Sequence, residues 1–584
     1  MSLYQWFVFF LIVQVVHGLG TWKLYQKAGR KSWEAFIPVY NSIVLMKIIN
    51  RPTWWTLLLF IPIVNLIMFP VVWVETLRSF GKNSTADTWL GFLTLGFYIY
   101  YINYTQDVTY ISDRSLQAKT KTGDTISSIL FAVVVATIVH TYFIQPFTIP
   151  SSSLEKSLLI GDFLFVSKFH YGARPPMTTV AAPMVHDTIP FAKVKSYLYD
   201  DKNPDSWKNK LQLPYFRFPG FEKIKNNDIV VFNWPRDTLF HMYKPADRRY
   251  NKPIDKKTNY VKRCVGIPGD SLQIKNGDIY INGKLLILPE RAKPQFCYNI
   301  DLKQNLDVFS FAREKNINEP SFYYQIPLKL WDNDVVKKFM DEKNISLLEF
   351  SRDSINALVY GGGEGLDQEN FNKLGMSIKG NFLQGNLTQQ AAEVLKNDEN
   401  IASVTKYIKK DVEDGIFPDF KDGIPSKINN WNSDNFGPIY IPEAGQTIDL
   451  NLKSLPYYKI IITEYEGNKL KVVGNDIYVN DKITTKYTFS KNYYWMMGDN
   501  RNNSLDARYF GYTPEDHVVG KPIFIWMSWD SNASGLNKIR WDRLFTTVSG
   551  EGQPQSYFKY FLGLLALYFV GEHFWKKRKA KSNE

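Results

Sequence analysis

Cysteine and histidine are scarce in this sequence: its 584 residues hold two cysteines, Cys264 and Cys297, and seven histidines. Two cysteines exclude a disulfide scaffold, although one bridge between them stays open. No two histidines stand at i and i+4, so there is no HExxH zinc helix, and neither cysteine has a partner at metal-ligand spacing. No GxSxG elbow occurs. The run Gly361-Gly-Gly-Glu-Gly365 lacks GxGxxG spacing and any Gly-Lys-Ser/Thr. It reads as a turn rather than a phosphate loop. Neither a metal nor a cofactor is expected.

Uniform hydropathy is also lacking. Apolar residues crowd the chain before about residue 145 and after about residue 555. A chain this long predicts several domains, and this distribution predicts membrane segments around one large water-exposed region. The net charge of +13 raises nucleic acid as a partner. The basic clusters, however, flank apolar runs: Lys23, Lys27, Arg30 and Lys31 near the first, and Lys576–Lys581 after the last. Membrane topology accounts for such clusters, so no nucleic-acid partner is expected.

A membrane helix needs roughly 20 mostly apolar residues. Leu3–Gly20, Trp54–Val74, Thr88–Tyr104, Ile126–Ile144 and the shorter Tyr557–Val570 meet or approach that. Leu3–Gly20 has no basic start and no Ala-x-Ala end, so it reads as a retained span rather than a cleaved leader. The basic tail and the group Arg114, Lys119 and Lys121 lie on the cytoplasmic side by the positive-inside rule. Residues of about 146–555 then lie outside, with Lys23–Lys31 inside. Spans two and three form a hairpin whose outer loop carries Arg78 and Lys82, a poor fit to the rule. His140 lies near the outer end of the fourth span, within reach of interfacial water.

The outer region reads as β-rich. Asn227–Trp234 is strand-like, and Leu272–Lys284 is echoed by Leu470–Lys482, each alternating around an Asn/Gly/Asp turn. Two hairpins of one kind suggest one β-domain visited twice by the chain. Residues 292–440 are rich in Asn, Asp and Lys, and Thr388–Ile408 has helical spacing. Met177–Gly220 reads as a loop-like insertion. The expected fold class is a membrane-anchored α+β protein. N-terminal transmembrane helices precede a mainly antiparallel β-domain with a partly helical insertion, and a C-terminal transmembrane helix follows. The expected parts are 1–125 (about three spans), 126–145 (the span entering the β-domain), 146–291 and 441–555 (the β-domain), 292–440 (the insert) and 556–584 (the last span and basic tail).

Three stretches bear on chemistry. Pro150-Ser-Ser-Ser-Leu-Glu-Lys-Ser157 follows the fourth span. With no histidine beside it, a serine nucleophile there needs another base. Lysine serves only when neutral, which demands an apolar pocket. Tyr260-Val-Lys-Arg-Cys-Val265 offers Lys262 in a β-type run, with Tyr260 and Cys264 on the same face. Met497–Arg508 is a polar Gly/Asn/Asp run between aromatic stretches. Each has a plain alternative: a solvated loop, a solvated strand lysine, a surface turn.

Together, in this order and just after a span, these stretches resemble the bacterial type I signal peptidases. The family's serine box, Pro-Ser-x-Ser-Met-x-Pro-Thr, aligns with Pro150–Ser157. The resemblance implies Ser153 as nucleophile and Lys262 as general base. It places the Ser151 hydroxyl and the Ser153 N–H in the oxyanion hole, leaves Ser152 as a variable position, and makes Ser504 the group that orients Lys262. It implies that Arg263, Asp499, Asp506 and Arg508 hold the site through ion pairs. Phe147, Ile149, Leu154, Leu158, Leu164, Tyr260 and Val261 would form a shallow apolar substrate pocket. Phe147 and Ile149 also suit interface anchoring. Leu154, Lys156 and Ser157 depart from the family's Met, Pro and Thr, and the long insert and extra spans are further departures. The implied activity is endoproteolysis of secretory preproteins at Ala-x-Ala-like sites, on the outer face of the bacterial inner membrane. Its partners would be the preproteins, the lipid bilayer and the secretion translocon. The alternatives are a membrane-anchored β-domain scaffold without catalysis, a soluble-type Ser–Lys autoprotease and a small transporter. The last leaves the large outer region unexplained.

Overall fold

The computed structural model describes residues 1–118, 120–241, 244, 246–418 and 428–581. Lys119, used above for topology, and residues 419–427 of the insert lie outside the described residues. Among the described residues, two helices are long and apolar enough to cross a membrane: α1 (Leu3–Lys27), and α2 (Lys121–Ile138) continued by a π-helical turn, Val139–Phe143. A Ser2/Gln5 capping box starts α1. Apolar side chains such as Phe7, Ile12, Ile129 and Phe131 face outward, uncovered by protein.

The second and third expected spans differ from the expectation. Residues 54–74 break after Trp55–Leu58, at Pro62 and at Ile63 (φ 69°), before a helix over Val64–Ser79. Residues 88–104 divide into Thr85–Leu93 and Tyr98–Thr105 at Leu95 and Gly96, both with positive φ. Proline and left-handed backbone interrupt the i→i−4 ladder. The break near residue 60 moves the turn there, so Arg78 and Lys82 are not on a loop opposite Lys27. Gln106 accepts from Lys27 through its carbonyl (3.5 Å) and from Lys82 through its side chain (3.4 Å). Glu75 pairs with Arg51 (2.9 Å), Arg78 (3.6 Å) and Arg114. The basic residues thus gather at one end.

Beyond α2, the chain builds an antiparallel sheet curled as a half-barrel. Its strands are β1 (Ile144–Thr148), β2 (Asp162–Ser167), β3 (Ile229–Asn233), β4 (Asn259–Gly266), β5 (Tyr493–Met497) and β6 (Val518–Ser528), in the order β1-β2-β6-β3-β4-β5. Pro146 sits in β1, an edge strand, where its missing N–H removes no ladder bond. Both expected hairpins form, with registers Leu272↔Ile281 and Leu470↔Val479. They feed a single core with Leu272, Ile274, Ile279 and Ile477 around the buried Trp495.

The region of the insert is more β than the sequence suggested: six antiparallel strands span Gln295–Lys406. The expected helix over Thr388–Ile408 runs only over Gln389–Leu395, while Ile401 and Val404 enter a strand. Asn397–Asn400 separate the two, and Asn and Asp side chains compete with the helical backbone. Met177–Gly220 is loop-like, with one short helix at Trp207–Lys210. Both cysteines are free thiols, which closes the question of a bridge.

Candidate active site

The site is assembled where β1 leaves the sheet edge. After Pro150 the chain makes a 3-10 turn, Ser152–Leu154. Leu154 and Leu158 are buried in an apolar cluster with Ile149, Leu164, Val166 and Ile229, which draws the turn against the sheet and buries Ser153 to 8% exposure. Lys262 stands on β4 opposite Val230 of β3 and is 4% exposed. Its Nζ lies 2.6 Å from Ser153 Oγ and 5.4 Å from the Tyr260 ring centre.

Burial pushes the Lys262 ammonium down to about 8; Arg508 adds to this, and the carboxylates of Asp506 and Asp499 oppose it. Those carboxylates are engaged elsewhere. Arg263 grips Asp499 bidentately (Nε–Oδ1 2.8 Å, Nη2–Oδ2 2.6 Å), and Ser157 Oγ donates to Oδ2 at 2.5 Å. Arg508 grips Asp506 in the same way (2.9 and 2.8 Å), and Gly498 N–H donates to Asp506 at 3.0 Å. Burial alone would raise both carboxyls, but the paired guanidinium holds each below the usual range. The four expected ion-pair residues therefore form two buried pairs, and Lys262 is left to the serine.

Two expected roles differ in geometry. Ser504 is buried, but its Oγ makes no hydrogen bond among the described residues and does not bond Lys262. It faces Gly498, where a built Cβ would come within 2.2 Å of Ser504 Oγ and 2.6 Å of the Ser153 carbonyl. Glycine is the residue that lets these strands of backbone close on each other. Ser151 is exposed, and its side chain makes no hydrogen bond among the described residues. Of the seven expected pocket residues, Phe147, Ile149, Leu154, Leu158, Leu164 and Val261 pack in one cluster. Tyr260 lies on the other side of β4, on the Lys262 face, stacked on Trp234 at 5.1 Å.

Several polar groups around the serine turn were not legible in the sequence. Glu319, from the inserted sheet, accepts from Ser152 Oγ at 2.6 Å, from Asn500 Nδ2 at 2.9 Å, from Asn386 Nδ2 at 2.8 Å, and from Asn503. Ser152, aligned with a variable position, is thus tied down. Asn500 N–H donates to the Ser153 carbonyl at 3.0 Å. Buried Gln295 donates to the Glu155 carbonyl at 3.1 Å. Lys156 has φ 70°, a conformation closed to the family's proline, whose ring holds φ near −65°. Among the described residues no group of three or more His, Cys, Asp or Glu is placed to hold a metal.

Comparison with known proteins adds an independent line. Residues 122–323 and 444–529 match the family "Signal peptidase, peptidase S26", and residues 33–113 match a family of unknown function, DUF5684. A Signal peptidase I of Buchnera aphidicola subsp. Schizaphis graminum is 24% identical over 406 residues, covering 69% of this chain and 75% of the relative. One from Buchnera aphidicola subsp. Acyrthosiphon pisum is 23% identical, over 68% of this chain and 72% of its own. A Pseudomonas aeruginosa Signal peptidase I is 25% identical over 165 residues, 28% of this chain and 38% of its own.

Proposed function

Because the chain belongs to the signal peptidase family, peptidase S26, we propose that it cuts signal peptides from secretory preproteins with Ser153 and Lys262. It is a membrane-associated serine peptidase. The observation that carries the choice of residues is the 2.6 Å contact between Ser153 Oγ and a buried lysine amine.

Neutral Lys262 takes the Ser153 proton as Oγ attacks the scissile carbonyl. The Ser151 hydroxyl and the Ser153 N–H stabilise the oxyanion. Protonated Lys262 returns the proton to the leaving amine, and an ester to Ser153 remains. Water, deprotonated by the same amine, releases the signal peptide's carboxylate and regenerates the serine. The cluster around Ile149, Leu154 and Leu164 supports a shallow pocket for small side chains, as at Ala-x-Ala sites.

Ser153 lies nine residues beyond Ile144, so at most ~30 Å of chain separates it from the membrane helix. A scissile bond emerging from the bilayer is within that reach. We place α1, α2 and the helix Phe558–Lys581, with its exposed Tyr560, Leu564 and Leu567, in a multi-pass arrangement. The half-barrel faces outward beside the secretion translocon.

The test is cleavage of a preprotein with an Ala-x-Ala site by the detergent-purified chain, beside Ser153→Ala and Lys262→Ala. Each variant is expected to lose turnover by a factor on the order of 10⁴ or more. Equal cleavage by all three moves the nucleophile elsewhere, and no cleavage by the parent returns the chain to the scaffold reading.

A further inference from the structure

A cavity of about 90 Å³ opens where α2 meets the half-barrel. His140 and Thr141, at the end of the membrane helix, line it together with Ile63, from the break in the N-terminal region. Neither Ser153 nor Lys262 is part of it. Its lining carries Lys168, Arg174 and Lys256 against one carboxylate, Asp255. That carboxylate is already committed, accepting from Thr178 N–H at 2.9 Å and Thr178 Oγ1 at 2.7 Å.

The lysines are the unusual feature. Lys256 is 6% exposed, and its amine faces the Tyr197 ring at 5.5 Å from the centre but makes no hydrogen bond or ion pair among the described residues; the half-buried Lys168 side chain makes none either. Neighbouring lysines show that partners are the rule here. Lys252 pairs with Asp237 at 3.0 Å, Lys195 with Asp187 at 2.8 Å, and Lys257 donates to the Pro235 carbonyl at 2.6 Å. A ring face offsets only part of the cost of burying a cation that has no hydrogen bond or counter-charge. Burial pushes Lys168 down to about 7 and lowers Lys256, the shift that a bound anion reverses. Arg174 spends two of its donors on the Asp516 carbonyl and on Asn233 Oδ1 (2.8 Å), leaving others of its five.

We propose that this cavity binds one phosphate oxyanion, presented by a phospholipid headgroup or as free phosphate, between Lys168, Arg174 and Lys256. The volume suits a group the size of several waters rather than a whole lipid. The position, at the end of an apolar helix long enough to cross a bilayer, is the level at which headgroup phosphates lie, and basic pockets there hold such groups. Binding would fasten the half-barrel to the membrane helix at the point where substrate arrives.

The test reads binding, so it stands apart from the peptidase assignment. The full chain, in dodecyl maltoside and phosphate-free buffer, is melted with monomeric dihexanoyl phosphatidylglycerol or with inorganic phosphate. The same is done for the double variants Lys168→Gln/Lys256→Gln and Lys168→Arg/Lys256→Arg. The lipid is expected to raise the parent's midpoint by several degrees. The arginine pair should keep that shift and the glutamine pair lose it. A shift with the lipid alone identifies the headgroup as the source, and a shift with both shows a site open to free phosphate. No shift in the parent with either, or an equal shift in the glutamine pair, overturns the proposal. If the double glutamine variant does not fold, ³¹P line broadening of the lipid is compared between the parent and Lys256→Gln, and equal broadening overturns it.

Discussion

In the proposed reaction, Lys262 can act as a base because water is excluded from it. With its ammonium pushed down to about 8, the amine is neutral above that pH. kcat/KM for preprotein cleavage is therefore expected to rise with pH through about 8 and level off; a profile flat from pH 6 to 10 would contradict lysine as the base. Stability carries the same sign. Between about 8 and the ordinary 10.5, the folded chain has lost the proton that the unfolded chain keeps, so stability rises with pH across that window. Below it, the buried ammonium costs about 3 kcal/mol. Lys262→Met is expected to abolish turnover and yet melt higher than the parent at pH 7, as read by calorimetry. In the sequence, Lys262 drew attention by its β-type apolar run, whereas Ser153 was singled out from Ser151–Ser153 only by the resemblance to the signal peptidases' serine box. The geometry of Ser504 was not, since where its Oγ points depends on how Gly498 closes on the Ser153 carbonyl.

At the scale of elements, the serine turn is held from outside its own strand. Glu319 reaches it from the inserted sheet, 167 residues away from Ser152 in the chain. Hydrogen bonds to a charged acceptor contribute roughly 1.5–3 kcal/mol each, and small displacements of a nucleophile are expensive in rate. Glu319→Ala is thus expected to lower kcat by about ten- to a hundredfold with KM little changed, in steady-state kinetics. A pure KM effect would mean that Glu319 contacts substrate instead. Lys156 gives a backbone test. Its φ of 70° suits glycine and forbids proline. Lys156→Gly should keep activity and Lys156→Pro, the residue the family carries, should lose most of it. No local signal marked Glu319, because an Asn/Asp-rich stretch looks alike whether it is solvated or clamped. The same insert misled the helix expectation over Thr388–Ile408, where apolar spacing fits a short helix followed by a strand as well as one long helix.

For the whole molecule, the arrangement of the N-terminal region follows from where its helices break. Because Lys27 and Lys82 both reach Gln106, and Arg78 and Arg114 both reach Glu75, these residues share one side. A membrane-impermeant maleimide is expected to label Lys82→Cys and Ser115→Cys from the same side, and Asn203→Cys from the other, in a background with Cys264 and Cys297 replaced. Labelling of Lys82→Cys together with Asn203→Cys would restore the hairpin expected from hydropathy alone.

The sequence by itself determined the chemistry on offer and its place. Scarce histidine and cysteine narrowed the possible bases, the resemblance to the signal peptidases picked Ser153 and Lys262, a long apolar run put Ser153 next to a membrane helix, and alternation put Lys262 on a strand with Tyr260. These are local properties, set by residue type and spacing. Tertiary structure decided what depends on distant segments meeting. It buried Lys262 and so lowered its proton affinity, sent the two carboxylates to Arg263 and Arg508, brought Glu319 to the serine turn, and left Lys168 and Lys256 without a hydrogen bond or ion pair among the described residues at the end of α2. Desolvation and ion pairing arise only when chain segments hundreds of residues apart exclude water together, and no short stretch of sequence records that.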